Sequence, residues 1–125
     1  MTAAHIISVV LPLKIISLMN AREHWKAKAR RAKRQRMDTI TCLEAVAWNM
    51  NTPQPPATIT LTRIGPRTLD DDNLAGGFKH VRDGVADGLG IDDGDKRLTW
   101  RYEQRKGKPM EYAAEVVIES EMRLP

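Results

Sequence analysis

The chain reads as a small α/β (α+β) domain, a mixed sheet with two helices in the order β-α-β-α-β-β. Three observations predict it. Residues alternate between apolar and polar in several short runs rich in β-branched and aromatic side chains. Two longer stretches keep apolar residues at helical spacing. The length of 125 residues suits a single domain, 1–125, that can bury a core. Hydrophobic content of 42% and charged content of 29% are ordinary for a globular chain.

The elements follow in order. His5 to about Pro12 is apolar and β-rich, the first strand. Asn20 with Glu23 three residues later has the form of a capping box, opening a helix over about 21–49. Trp25, Ala29, Ala32, Ile40, Leu43 and Ala47 form its expected apolar stripe, with Trp25 read as core. Asn51 to Pro56 holds three prolines and ends it. Ala57 to Arg63 alternates and reads as the second strand. Leu74, Phe78, Val81, Val85 and Leu89 mark the buried face of a second helix, with Gly90 at its C-cap. The last third reads as a β-hairpin. Leu98, Trp100 and Tyr102 share one face opposite Arg97, Arg101 and Arg105, and Lys106 to Pro109 makes the turn. Tyr112, Ala114, Val116 and Ile118 then alternate with Glu111, Glu115 and Glu119.

The apolar start, Ile6 to Met19, is interrupted by Pro12 and Lys14 and is too short to span a bilayer. It lacks a basic n-region and reads as a strand, not a signal peptide. No membrane partner is expected. The lone Cys42 excludes an intramolecular disulfide and a cysteine-rich zinc site, which fits a reducing cytoplasm.

The net charge of +4 conceals an asymmetry. Between Arg22 and Arg36, eight Lys/Arg face one Glu, so this segment carries +7 and the rest of the chain −3. A basic arm on an acidic body points to nucleic acid. Arg22, Lys26, Arg30, Lys33 and Arg34 are the candidate DNA contacts, positioning a backbone without reading bases.

Two carboxylate clusters bracket the second helix: Asp70-Asp71-Asp72-Asn73-Leu74 and Asp92-Asp93-Gly94-Asp95. At about 5 Å and an effective dielectric near 20, each like-charged pair costs roughly 3 kcal/mol. A hard divalent cation with oxygen ligands removes that cost. In an extended segment Asp70 and Asp72 would point to one side, with Asp72 or Asn73 capping the helix. Capping explains one of these carboxylates, or two, but not three in a row. A calcium loop of the EF-hand type fails, because its fifth position would be Leu74 or Arg97.

Asp70-x-Asp72-Asn73-Leu74 entering a helix, followed by Asp92-Asp93, resembles the RusA-type Holliday junction resolvases. An N-terminal strand, an Asn before a basic helix and a final hairpin also match, over about residues 5 to 119. The resemblance implies that Asp70, Asp72 and Asp93 bind Mg²⁺, with Mn²⁺ as a substitute. It implies that Asp92, and Asn73 within the motif, orient a ligand or a metal-bound water. It further implies a homodimer that resolves four-way junctions by paired cleavage, in DNA recombination and repair of a bacterial host or phage.

One position departs from the family pattern. The usual catalytic Lys, one helical turn past the second Asp, is replaced here by Gly76. Lys79 is the nearest candidate, within about 20° of the face of Asp72 on an unbroken helix. The alternatives are a flap or fork nuclease of lower selectivity, and a branched-DNA binding protein that does not cleave. Gly76-Gly77 costs roughly 1 kcal/mol per residue in a helix, for which close approach or a kink are both sufficient reasons.

Overall fold

The computed structural model describes residues 2–17, 24–45 and 53–123. It holds β1 (Thr2–Leu11), α1 (Trp25–Leu43), β2 (Ala57–Gly65), α2 (Asp71–Gly77), α3 (Lys79–Leu89), β3 (Leu98–Lys106) and β4 (Ala113–Arg123). The α+β class holds, as do all four strands. Asn20, Arg22, Glu23 and Ala47 lie outside the described residues, and with them the expected capping box.

The four strands form one sheet in the order β1-β4-β2-β3. β4 pairs antiparallel with β1 and with β2, while β3 runs parallel to β2. The expected β3–β4 hairpin is therefore replaced by a connection around the end of β2, where the Gly107 amide donates to the Gly65 carbonyl at 2.8 Å. Burial explains the preference. Ala114, Val116 and Ile118 of β4 are wholly buried and gain from a neighbour on each side. The charged outer face of β3 tolerates an edge. Parallel pairing of β2 and β3 needs a crossover, which α2 and α3 supply.

One face of the sheet carries the core. Ile7, Val9 and Leu11 of β1, Ile59 and Leu61 of β2 and Leu98 of β3 point inward, with Ile6 and Val10 exposed on the other face. Leu74, Phe78, Val81 and Val85 cover them from α2 and α3, and Leu43 from α1. The alternation runs on past β1, burying Leu13, Ile15 and Ser17.

The second helix is two. It breaks at Phe78 (φ −90°, ψ 1°), directly after Gly76-Gly77. The two glycines have different reasons. A Cβ on Gly77 would stand 2.7 Å from the Ile16 carbonyl oxygen and 2.9 Å from Ile15 Cγ2, so α2 ends against the segment leaving β1. A Cβ on Gly76 would meet nothing within 4 Å. Gly84 brings α3 against α1, where a Cβ would stand 2.7 Å from the Arg36 carbonyl oxygen. Gly90 caps α3 at φ 72° as expected.

Helix α1 departs furthest from the expected stripe. Its buried residues are Gln35, Thr39 and Leu43, spaced by four, while Trp25 is 67% exposed. Trp25 is thus not core. It lies beside His24, with Lys26 Nζ 5.5 Å from its ring centroid. The fully buried residues of α1 all lie in its second half, while Lys26, Lys28, Arg30, Lys33 and Arg34 of the first half face solvent and Arg31 is half-buried. No helix among the described residues is long and apolar enough to cross a membrane.

Candidate nucleic-acid site at the carboxyl edge of the sheet

β1, β2 and β3 run in one direction, so their carboxyl ends share one edge of the sheet. The segment after β1, the approach to α2 and the loop after β3 all meet there. Ligands of open sheets favour this edge.

The acidic motif is built into it by the side chains of Gln104, Asp70, Asn73 and Ser17. Gln104 of β3 accepts from the Leu69 amide at 2.9 Å and donates to the Leu69 carbonyl at 2.7 Å, a two-point clamp that fixes the residue before Asp70. Asp70 then takes the N-cap: one carboxylate oxygen accepts from the Asn73 amide and the other from Asn73 Nδ2, each at 2.9 Å. Asn73 in turn accepts from Ser17 Oγ at 2.5 Å, tying the cap to the segment after β1. Asp70 to Asp72 are therefore not an extended run. Asp70 is the cap in place of Asp72 or Asn73, and Asp71 and Asp72 occupy the first turn of α2, both exposed.

Asp93 is anchored elsewhere. Arg82 donates from Nε to its carboxylate and from Nη2 to its carbonyl, both at 3.0 Å, and from Nη1 to the Tyr102 hydroxyl at 2.7 Å. The guanidinium lies 4.6 Å from the centroid of Trp100, whose indole N–H donates to the Asp93 carbonyl at 2.9 Å. The anchors Trp100 and Gln104 are four residues apart on β3, about 13 Å along a strand. Asp92 accepts from the Gly94 amide at 3.0 Å in a local turn. With Asp83, Asp87 and Arg36 these two aspartates line a cavity of about 270 Å³. Arg36 there pairs with Asp87 at 2.5 Å, and that contact raises the Arg36 pKa.

Among the described residues no group of three or more His, Cys, Asp or Glu is placed to hold a metal ion. Asp70 and Asp72 still have the chemistry Mg²⁺ accepts, since that ion takes one or two carboxylates and completes its shell with water and substrate phosphate. Lys79 begins α3, beyond the break at Phe78, so its relation to Asp72 is not that of two residues on one straight helix. It is exposed.

Of the basic segment, Lys26, Arg30, Lys33 and Arg34 are exposed on α1, with Arg34 near Asp38 at 4.0 Å. Sequence reasoning missed Arg63, Arg82, Ser17 and Gln104. Arg63 is only 5% exposed, donating from Nε to the Ile15 carbonyl at 2.9 Å and from Nη1 to the Arg67 carbonyl at 2.5 Å. Burial lowers its pKa from the ordinary arginine value. Its inward place on β2 was legible in the alternation of that strand, but its partners were not.

No protein-family model matches the chain. A protein of Xylella fastidiosa strain Temecula1, described as uncharacterized, is 35% identical over 78 residues. The match covers 59% of this chain and 51% of that protein, so the chain spans about half the length of this relative.

Proposed function

We propose that the protein is a Mg²⁺-dependent, structure-selective endodeoxyribonuclease of the RusA type, acting on four-way DNA junctions as a homodimer. The observation that carries the reading is the surplus of carboxylates at the start of α2. Capping uses Asp70, while Asp71 and Asp72 remain exposed on a helix start that Gln104 and Ser17 hold in place. A fixed tip of adjacent carboxylates is the kind of site a hard cation stabilises.

Asp70 and Asp72 would hold the ion, with water and substrate phosphate completing its shell, while Asp93 stays in its clamp with Arg82. The ion, when bound, polarises a phosphodiester and lowers the pKa of water. The chain's own residues do the rest. Asn73 and Ser17 keep Asp70 oriented, Lys79 would offer its exposed ammonium to a substrate phosphate, and Lys26, Arg30, Lys33 and Arg34 would hold the backbone of an arm. These contacts carry charge and no base code, so selectivity would rest on junction shape and on two subunits acting together.

The test is nicking of a supercoiled plasmid that extrudes a cruciform, with Mg²⁺, by the parent and by Asp72→Asn. Nicking confined to the cruciform and lost in Asp72→Asn supports the proposal. The ion pair of Asp93 with Arg82 favours a second reading, a junction-binding protein without cleavage. Tight binding with no nicking by the parent would select that one.

A further inference from the structure

Next to the acidic tip, the carboxyl edge of the sheet opens into a cleft of about 520 Å³ whose polar wall is cationic. Lys14, Arg63 and Arg67 all line it. No carboxylate among the described residues stands within ion-pair distance of any of the three. Arg63 is the informative one. A guanidinium that is 5% exposed and served by two carbonyls is a buried charge without a counter-charge. Such a group is costly unless an anion completes it.

The local backbone is shaped around that charge. A Cβ on Gly65 would stand 2.9 Å from both terminal nitrogens of Arg63, so the absence of a side chain there leaves room for the guanidinium at the strand end. Lys14 Nζ lies 4.5 Å from the centroid of the Tyr112 ring, which steadies the ammonium without neutralising it. The volume far exceeds the roughly 30 Å³ share of one water. Ser17 belongs both to the cleft wall and, through Asn73, to the mount of Asp70.

We propose that this cleft is a binding site for one phosphodiester of a DNA strand, held by Lys14, Arg63 and Arg67 beside the acidic tip. The identification of the anion as DNA rests on the proposed function; the need for a phosphate-like anion rests on the cleft alone. The site seats a phosphate neighbouring the one to be cut, and so sets which bond reaches Asp72.

The test uses the full chain without metal. In a heteronuclear NMR titration, the dinucleotide dTpdT shifts resonances of Arg63, Arg67 and Tyr112, and Lys14→Gln/Arg67→Gln abolishes the shifts. Both substituted residues are exposed, so the core is left intact. In junction binding with EDTA, the same variant loses about 0.9 from the slope of log K against log salt, about eightfold in affinity at 0.1 M. An unchanged slope with no dTpdT shifts overturns the proposal, and so does a response to inorganic phosphate with none to dTpdT. Cleavage in Mg²⁺ is measured separately. Shifts and slope as expected without cleavage leave the cleft standing and remove the nuclease. Cleavage with an unchanged slope removes the cleft alone.

Discussion

Gly76 and Gly77 are neighbours in one helix, yet alanine should move stability in opposite directions at the two. At Gly77 the new methyl would stand 2.7 Å from a backbone oxygen of Ile16 and 2.9 Å from Ile15 Cγ2, and Ile15 is 1% exposed. Neither neighbour can swing into solvent. Overpacking costs about 1–3 kcal/mol, and two contacts below 3 Å with fixed neighbours put this site at about 2–3 kcal/mol, against which alanine regains up to about 1 kcal/mol of helix propensity. The net expectation is a loss of about 1–2 kcal/mol. At Gly76 there is nothing within 4 Å, so only the propensity gain of about 0.5–1 kcal/mol remains. With a urea m-value of ~2 kcal/mol/M, the midpoint falls by about 0.5–1 M for Gly77→Ala and rises by about 0.25–0.5 M for Gly76→Ala. Equilibrium urea unfolding followed by circular dichroism measures both. Midpoints that shift together, or a Gly77→Ala variant as stable as the parent, would refute the close approach of α2 to the segment after β1.

Other expectations follow from single contacts. Arg82→Gln removes three hydrogen bonds at a partly exposed site and should cost about 1–2 kcal/mol in urea unfolding. Arg82→Lys should restore little of it, because a point charge cannot serve three acceptors in a fork, and full rescue by Lys would count against the clamp. Burial lowers the pKa of His80, so the unfolded chain binds a proton more readily than the folded one. Its contribution is therefore whole above about pH 6.5 and declines as pH falls below it. The stability difference between parent and His80→Gln should shift between pH 7.5 and 5.5, and an identical pH profile would contradict the burial. Hydrogen bonds from Arg97 hold the Asp95 carboxyl at about 2, below its ordinary value, so its contribution is present above about pH 4 and fades toward pH 2. An NMR titration of Asp95 with a midpoint near 4 would show that contact to be absent in solution.

The parts of the fold legible in the sequence were those set by local period. Ile7, Val9 and Leu11, the stripe Leu74 to Val85 and the run Ala114 to Ile118 each declared a buried face. Pairing was not legible, because β4 carries the same alternation whether it sits beside β3 or between β1 and β2. Trp25 misled for a related reason. Helical spacing identifies a face, whereas whether that end of the helix reaches the core depends on where α3 packs, at Gly84 and Thr39. In the candidate site the acidic residues stood out by density. Gln104, Ser17 and Arg63 did not, since each acts through a partner 35 to 56 positions away, at Leu69, Asn73 and Ile15.

The most direct test of the proposed function is cleavage of a synthetic four-way junction against its matched linear duplex in Mg²⁺, with strand-resolved mapping and Asp72→Asn in parallel. Paired, symmetric nicks near the crossover, absent from the duplex and from the variant, are the predicted result. A junction bound tightly and left intact in both Mg²⁺ and Mn²⁺ would contradict it.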